Sequence, residues 1–325
     1  MRAPTSRADA HQTRLMVRVA RMYYEQGLRQ TEISSRLHLS ASKVSRLLKK
    51  AASTGVVRTV VSLPAGVHAE LEEQLERAYG LDEVVVTDAR GSHEQVLSSL
   101  GAAGAAYLEN SLTTGCVLGV SAWSESLMRV AQALPRLANA AVDEVVQLDG
   151  GAGHAAAQIE ASQMLGLFAT KMGAKPVVIP APGVATNRTV HDALTDDPSV
   201  VEAMSRWRAV TVALVSVGSL SSSTLVRPGG TYASAHDLAE LEKAGAVGDV
   251  CFRFFDAEGQ AIRSAFDDRV IGMDLDQLRK IPRRIAVCGG SEKIEAIMSA
   301  LRGGLASVLI TDLGVAESLA AGDVG

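Results

Sequence analysis

The sequence predicts an α/β protein in which a small helical head precedes a larger trunk built on a parallel sheet. Beyond Gly80, short apolar runs alternate with helical stretches, a pattern typical of a parallel sheet covered by helices on both faces. Before that point, Gln30–Lys50 divides into two short amphipathic pieces separated by a tight turn. At 325 residues the chain exceeds one typical domain. We therefore assign residues 1–63 to the head and residues 64–325 to the trunk.

The head is predicted to hold three helices, of which the last two form a helix-turn-helix. Asp9–Gln26 has helical spacing of its apolar residues and stops at Gly27, a residue that tolerates a left-handed backbone. In each half of Gln30–Lys50 apolar residues four apart share one face, and Ser40 can cap the second helix through its hydroxyl. The next segment, Val56–Leu63, is rich in β-branched residues and predicts a short strand or wing.

Charge separates the head from the rest of the chain. Residues 1–60 hold twelve Lys and Arg against three Asp and Glu, a net charge of +9. Since the whole chain is −4, the remainder carries −13. An ordinary helical hairpin on a protein surface is the alternative, but a basic lobe on an acidic body is typical of phosphate binding. We therefore predict that the head binds double-stranded DNA with its second short helix in the major groove.

The outward face of that helix supplies most of the predicted DNA contacts. Contacts to base edges carry specificity, whereas contacts to phosphate mainly set position and affinity. The candidates for base edges are Ser42, Lys43, Ser45 and Arg46, those for phosphate are Arg29, Lys49 and Lys50, and the start of the first short helix adds Gln30 and Thr31. Because one such reader buries little surface, we expect a homo-dimer or homo-tetramer on a palindromic operator, with the acidic trunk making the subunit contacts.

Composition excludes several other classes of protein. The three cysteines, Cys116, Cys251 and Cys288, are far apart in apolar runs and predict reduced core residues rather than disulfides or a metal site. The seven histidines are scattered without metal-ligand spacing. The N-terminus has no apolar segment of a secretion signal, and no apolar run reaches the roughly 18 residues of a spanning helix. We therefore expect a cytoplasmic protein without a membrane segment.

The trunk pattern predicts seven strands and one hairpin after a linker at Pro64–Gly66. The hairpin is predicted from Cys251–Phe255 and Gln260–Ser264, joined by a turn with Gly259. Helical stretches include His68–Tyr79, Glu94–Leu108, Glu125–Leu134 and Ala155–Lys171. The strands are predicted at Val84–Val86, Val117–Val120, Val145–Leu148, Val177–Ile179, Thr211–Val217, Ile285–Val287 and Val308–Ile310. Ligands of such sheets bind beyond the carboxyl ends of the strands, so the loops there are the candidate site.

Two of these loops have the composition of anion sites. Ser121–Ser126 follows a strand and leads into a helix, so its hydroxyls and backbone N–H groups could hold an anion; plain helix capping by Ser121 or Ser124 is the equal alternative. In the second loop, Gly289 and Gly290 precede Lys293, again at the start of a helix. A lysine there opposes the helix dipole unless an anion is bound, which favours a phosphate or carboxylate site.

Two further loops carry aspartates. Asp149 ends one predicted strand and Asp249 precedes another, and each could accept hydrogen bonds from sugar hydroxyls or serve only as a cap or turn residue. The segment Gly151–Ala156 matches a G-x-G-x-x-A dinucleotide fingerprint, but the following strand ends at Ile179 with no acid placed for a ribose. We therefore reject a nicotinamide site and expect no cofactor and no metal.

Several blocks in one order give the chain a specific resemblance along nearly its whole length. It resembles the SorC/DeoR-type family of bacterial sugar-binding transcriptional regulators. The blocks are Tyr23-Tyr24 with Gln30–Leu48, Gln147–Gly151, Pro180–Gly183, Ala246–Cys251 with Arg253–Asp256, Asp268–Gly272, and Gly289-Gly290 with Lys293 through Thr311-Asp312.

The resemblance implies an effector domain similar to ribose-5-phosphate isomerase and glucosamine-6-phosphate deaminase, usually binding a phosphorylated sugar. By position, Ser124 and Ser126 match the phosphate loop, and Asp249 matches the acid that contacts the sugar. Gly289, Gly290 and Lys293 match a second anion site. The predicted effector site also includes Ser121, Trp123, Asp149, Gly150 and Gly151. Many members read G-x-S-W-G at the first loop, where this chain has Ser124 in place of the final glycine.

We predict a transcriptional regulator whose operator binding is controlled by a small carbohydrate, with no catalytic residue. One alternative is a phosphosugar isomerase or deaminase with a DNA-binding appendage, for which Asp149, Asp249 or His154 could act as acid or base. A second is a scaffold whose trunk only oligomerises. A panel of sugar phosphates, tested for turnover and for stabilisation, distinguishes the three.

Overall fold

The computed structural model describes residues 7–57, 66–137, 142–151, 155–220 and 233–322. The chain divides into two compact units, Met1–Leu63 and Pro64–Gly325, which are the head and the trunk. Most of the strand or wing predicted at Val56–Leu63 and of the linker predicted at Pro64–Gly66 lies outside the described residues. Within the described ranges, no helix is both long and apolar enough to cross a membrane.

The head contains the three predicted helices. They are α1 (Arg7–Tyr24), α2 (Gln30–Leu37) and α3 (Ala41–Ser53). Gly27 has a φ of +66°, as expected where α1 ends. Between α2 and α3 the chain turns at His38, whose φ is +53°, and the Ser40 hydroxyl accepts a hydrogen bond from the backbone N–H of Lys43 at 3.3 Å. This bond caps α3, as the sequence predicted.

A small apolar core holds these helices together. Its fully buried side chains come from all three helices, and Leu39 in the turn packs against them. The core residues are Met16, Val19, Ala20, Met22, Ile33, Val44, Leu47, Leu48 and Ala51. Because Val44, Leu47 and Leu48 of α3 turn inward, most of its polar and cationic positions are left on the outside.

The trunk is organised around a seven-stranded sheet in which every pairing is parallel. Its strands are β1 (Glu83–Thr87), β2 (Cys116–Val120), β3 (Val142–Gln147), β4 (Lys175–Val177), β5 (Val212–Val215), β9 (Arg283–Val287) and β10 (Val308–Asp312). Across the sheet they lie in the order β1-β10-β9-β5-β2-β3-β4. Each of the seven predicted apolar runs overlaps one of these strands, so the parallel α/β prediction is confirmed.

Helices cover both faces of this sheet, as continuous apolar strands require. Successive strand residues point to opposite faces: Val117 packs into one buried cluster and Leu118 into the other. The helices of the trunk are α4 (Ala69–Tyr79), α5 (His93–Ser111), α6 (Glu125–Ala133), α7 (Ala155–Met172), α8 (Arg188–Thr195), α9 (Pro198–Ser205), α10 (Ala235–Lys243), α11 (Leu275–Arg279), α12 (Ile294–Arg302) and α13 (Leu313–Ala321). Leu100, Leu127 and Phe168 of α5, α6 and α7 cover one face, and Leu75, Ile297 and Leu319 of α4, α12 and α13 cover the other.

A second, antiparallel sheet corrects the predicted hairpin. Its strands are β6 (Gly218–Ser219), β7 (Gly248–Val250) and β8 (Arg253–Phe255), in that order. Cys251 and Phe252, predicted to begin a strand, instead form the turn between β7 and β8, with φ values of +53° and +64°. The predicted second arm, Gln260–Ser264, does pair with β8: Ala261 bridges to Phe255, and the Ile262 N–H donates to the Phe254 carbonyl at 2.9 Å. The Asp256 N–H also donates to the Gln260 carbonyl at 3.0 Å, across the predicted turn. The hairpin is therefore confirmed in part. Its first two residues were wrongly assigned, because two left-handed residues reverse the chain there, which an apolar run does not reveal.

Candidate functional site

A cleft lies at the carboxyl ends of the central strands of the large sheet, where parallel sheets bind ligands. The loops after β2, β3, β5 and β9 contribute to its wall, the small sheet contributes Asp249, Cys251 and Phe252, and α5 contributes apolar side chains. Of the predicted effector residues, those that line the cleft are Ser121, Trp123, Ser124, Ser126, Asp149, Asp249, Gly289 and Lys293.

Three hydroxyls meet at the N-terminus of α6. The Ser124 and Ser126 hydroxyls are 2.8 Å apart, and Ser216, just after β5, is 3.3 Å from Ser126. Ser126 also donates to the carbonyl of Val287 at 2.7 Å. Ser124 accepts from the Leu127 N–H at 3.2 Å, so it caps α6 while still lining the cleft. The two alternatives for this loop are therefore compatible, since the capping serine also faces the cleft.

Asp149 forms the floor of the cleft. It is buried, with 1% of its surface exposed, and its Oδ1 accepts a hydrogen bond from the backbone N–H of Ala122 at 2.6 Å. Burial raises the pKa of Asp149 to about 7, opposed by the Ala122 N–H and assisted by the charge of Asp249. The carboxyl is therefore able to accept a hydrogen bond when ionised and to donate one when protonated.

Asp249 and Lys293 occupy the side of the cleft formed by the small sheet and the loop after β9. Desolvation raises the pKa of Asp249 to about 6, while the ammonium of Lys293 and the backbone N–H of Phe252 pull it down. Lys293 lies at the start of α12, and its own N–H donates to the Gly290 carbonyl at 3.0 Å. Among the described residues, the cleft thus combines one lysine, a helix N-terminus with hydroxyls, two aspartates whose pKa values are raised, and the carboxylates of Glu125 and Glu292.

The remaining predicted glycines make structural bonds beside the cleft. Gly150 donates its N–H to Ile271, and a Cβ there would lie 2.5 Å from the Pro182 carbonyl oxygen. Gly151 donates to Ala181, and Gly290 donates to an Asp312 carboxylate oxygen at 2.8 Å with a φ of +99°. The structure therefore does not bring Gly150, Gly151 or Gly290 into the wall of the cleft.

Several lining residues were not anticipated from the sequence. Ser216 follows β5, near the end of the strand predicted at Thr211–Val217. The rule that ligands bind at the carboxyl ends of parallel strands could therefore have identified it. His93, at the start of α5, lies 3.0 Å from a Glu125 carboxylate oxygen at the rim. Cys251 and Phe252 were missed because they were assigned to a strand rather than to the turn of β7 and β8.

The predicted DNA-binding residues lie together on the head. Ser42, Lys43, Arg46, Lys49 and Lys50 are exposed on α3, and Ser45 is half-buried. Arg29 and Thr31 are exposed and Gln30 is half-buried at the start of α2, where the Glu32 carboxylate accepts from the Arg29 N–H at 2.7 Å. These side chains form a polar and cationic surface over the turn and along α3, available to a partner outside the head core.

Comparisons with known proteins agree with this architecture. The model of the Sugar-bind family of sugar-binding domains matches residues 64–321. The chain is 34% identical over 312 residues to the deoxyribonucleoside regulator of Bacillus subtilis, covering 96% of this chain and 98% of that protein. It is 32% identical over 306 residues to the transcriptional regulator LsrR of Escherichia coli K12, covering 94% and 93%.

A solved structure is similar to nearly the whole chain. The full-length sorbitol operon regulator SorC from Klebsiella pneumoniae superimposes with a TM-score of 0.73 at 26% identity, covering 95% of this chain and 98% of that one. The chain therefore belongs to the SorC/DeoR family of sugar-binding transcriptional regulators.

Proposed function

We propose that this protein binds operator DNA through its head and that a phosphorylated sugar, bound in the trunk cleft, controls that binding. The observation that carries the proposal is the convergence of the hydroxyls of Ser124, Ser126 and Ser216 with Lys293, Asp149 and Asp249 in one cleft. Cation and hydroxyl donors suit a phosphate, and carboxyls suit sugar hydroxyls. The names of the relatives support regulation, and the matching family model supports sugar binding in general terms.

The phosphate end of the ligand is assigned to the N-terminus of α6 and Lys293. A helix N-terminus presents backbone N–H groups and a positive dipole to an anion, and the hydroxyls of Ser124 and Ser216 can supply further donors, since the Ser126 hydroxyl already donates to the Val287 carbonyl. Ser124, in place of the glycine common in the family, adds one of those hydroxyls. The carboxyls of Asp149 and Asp249 would repel a phosphate, so they are assigned to the hydroxyl end.

On DNA, α3 is the reader. Its exposed Ser42, Lys43, Arg46 and half-buried Ser45 face base edges in the major groove, with Arg29, Lys49 and Lys50 on phosphates and Gln30 and Thr31 beside them. The head's net charge of +9 over residues 1–60 supplies the attraction for the duplex. Subunits of a homo-oligomer would place two heads on a palindromic operator.

Control follows from differential affinity. A ligand changes operator binding only by as much as it prefers one arrangement of the subunits over another. This requirement needs no chemistry on the sugar, so the proposal assigns Asp149 and Asp249 to binding rather than to catalysis.

The test is a panel of sugar phosphates read by melting temperature, followed by operator binding with each hit. A ligand at about 100 times its Kd adds roughly 2.7 kcal/mol to the free energy of unfolding. We expect at least one sugar phosphate to raise the melting temperature and to change the affinity for a duplex selected from a random pool. Three results would contradict the proposal. They are that no sugar phosphate raises the melting temperature, that the protein converts a hit to product, and that the head has no affinity for any duplex at low salt.

A further inference from the structure

The cleft has an apolar wall that the assigned polar groups leave unused. Trp123 is half-buried and Phe252 is buried, both line the cleft, and their ring centroids are 6.4 Å apart with an angle of 43° between the planes. The indole Nε1 of Trp123 donates to the Gly150 carbonyl at 3.4 Å, which fixes the ring's orientation. These two rings, with the backbone that carries them, form what we call the aromatic wall.

The backbone at this wall is strained. Cys251 and Phe252 are consecutive residues at positive φ, and with His38 they are the non-glycine residues in that region among the described parts of the chain. Tight turns of this kind favour Asn and Gly, which adopt a positive φ at little cost in free energy. Backbone strain of this sort persists where the surroundings over-determine it, and it concentrates at functional sites.

Two glycines leave room for the groups that the turn presents. A Cβ at Gly183 would lie 2.3 Å from the Phe252 ring, and a Cβ at Gly218 would lie 2.2 Å from Oδ1 of Asp249. The backbone N–H of Phe252 also lowers the pKa of Asp249 by a hydrogen bond, so the turn positions the ring and the carboxyl together. One strained turn therefore presents an apolar face and a hydrogen-bonding group side by side.

We propose that Phe252 is a specificity-determining residue of the effector site. It selects the phosphate ester of an uncharged sugar by stacking on a C–H face of the sugar, while Asp249 accepts a hydrogen bond from a sugar hydroxyl. This inference rests on the proposed function and names its ligand class more narrowly. Aromatic and apolar walls with a few placed polar groups are the usual composition of small-molecule sites. Phosphorylated carboxylic acids should bind more weakly, because with their phosphate at α6 their carboxylate would meet the aromatic wall and the side chain of Asp249.

The experiment uses the full chain and calorimetric titration. The probes are ribose 5-phosphate, 2-deoxyribose 5-phosphate, fructose 6-phosphate and 3-phosphoglycerate. The sugar phosphate that binds the wild type most tightly is then titrated into Phe252→Leu. The matched control is Phe266→Leu, which truncates a buried ring of the same apolar cluster that does not line the cleft. Because a lost ring face exposes apolar surface of the ligand, Phe252→Leu is expected to weaken binding about tenfold, and Phe266→Leu to change it by less than about twofold.

A second variant keeps the proposal testable if Phe252→Leu does not fold. Trp123 and Trp207 are the two tryptophans of the chain, and Trp207 is buried away from the cleft with its Nε1 donating to the Gln147 carbonyl at 2.8 Å. In Trp207→Phe, the emission of Trp123 should shift as the probe binds.

Four results would contradict the role of Phe252 without contradicting the proposed function. They are unchanged affinity in Phe252→Leu, equal losses of affinity in both Phe variants, tight binding of 3-phosphoglycerate, and no change in the emission of Trp123 on binding. A wild-type chain that binds no sugar phosphate overturns both proposals.

Discussion

The backbone N–H of Ala122 donates to Oδ1 of Asp149 at 2.6 Å, which links the loop after β2 to the end of β3 at the floor of the cleft. This bond holds a buried carboxyl at the place where two strand-end loops meet. Since burial raises its pKa to about 7 from an ordinary 3.8, the native carboxyl retains a proton that the unfolded one loses.

The first prediction concerns pH. Stability from the protonated Asp149 is fully present below about pH 4 and is lost as pH rises through about 7, because the unfolded state then binds fewer protons. Asp149→Asn keeps the acceptor for Ala122 but cannot ionise. It should remove this pH dependence and raise the free energy of unfolding at pH 8 by up to about 4 kcal/mol. Denaturant unfolding from pH 4 to 8 measures the free energy of unfolding of each protein, and Asp268→Asn, at an exposed aspartate, is the control. If the free energy of unfolding depends on pH in the same way in Asp149→Asn and in the wild type, Asp149 does not have a raised pKa.

The second prediction concerns Lys293. Lys293→Ala removes the cation of the cleft and with it a charge-assisted contact worth about 1.5–3 kcal/mol. We expect the response of operator binding to a sugar phosphate to disappear while unliganded operator binding stays close to wild type. Fluorescence anisotropy of a labelled duplex, with and without ligand, measures both quantities. Lys280→Ala, an exposed lysine outside the cleft, should respond as wild type does; a full response in Lys293→Ala refutes the site.

The third prediction separates base reading from phosphate contact in the head. Arg46→Ala should cost roughly 1–3 kcal/mol on the specific operator and much less on random duplex, if the guanidinium reads a guanine. Lys49→Ala should weaken both duplexes equally and reduce the salt slope by about 0.9, as for one lost phosphate contact. Titrations of both duplexes at several salt concentrations distinguish the two roles. If Arg46→Ala loses equal affinity for the specific and the random duplex, Arg46 contacts a phosphate instead of a base.

The fourth prediction uses two glycines as a pair. A Cβ in Gly218→Ala would sit 2.2 Å from Oδ1 of Asp249, so the carboxyl must move and sugar phosphate binding should weaken. Gly166 lies in α7, where a Cβ would meet no atom within 4 Å, and Gly166→Ala should raise the free energy of unfolding by up to about 1 kcal/mol. Calorimetric titration and thermal unfolding of both variants give the comparison. Wild-type affinity in Gly218→Ala would show that the position of Asp249 does not matter for the ligand.

The order and type of the main elements could be predicted because local patterns determine them. Runs such as Val117–Val120 and Val308–Ile310 are apolar on both faces, and that signal survives without tertiary information. Ser40 likewise revealed its cap, since the bond it makes to Lys43 is only three residues away. Features of short range were therefore accessible from the sequence alone.

The site could be predicted only in part, because its remaining features depend on contacts distant in the sequence. Ser126 reaches Val287 and Ser216, at separations of 161 and 90 residues. The turn at Cys251 and Phe252 is imposed by packing against its surroundings, so its apolar residues gave a strand signal instead. Gly150 and Gly151 were drawn into the predicted site by their place at a strand end, whereas their N–H groups bind the neighbouring backbone.

The walls of the cleft belong to two different sheets: the hydroxyls and Asp149 follow strands of the parallel sheet, and Asp249 and Phe252 belong to the antiparallel one. A molecule that contacts both walls would connect the parallel sheet to the antiparallel one. Part of its binding free energy then resists local opening of the β7–β8 ribbon, so amide hydrogens far from the phosphate exchange more slowly when the cleft is filled.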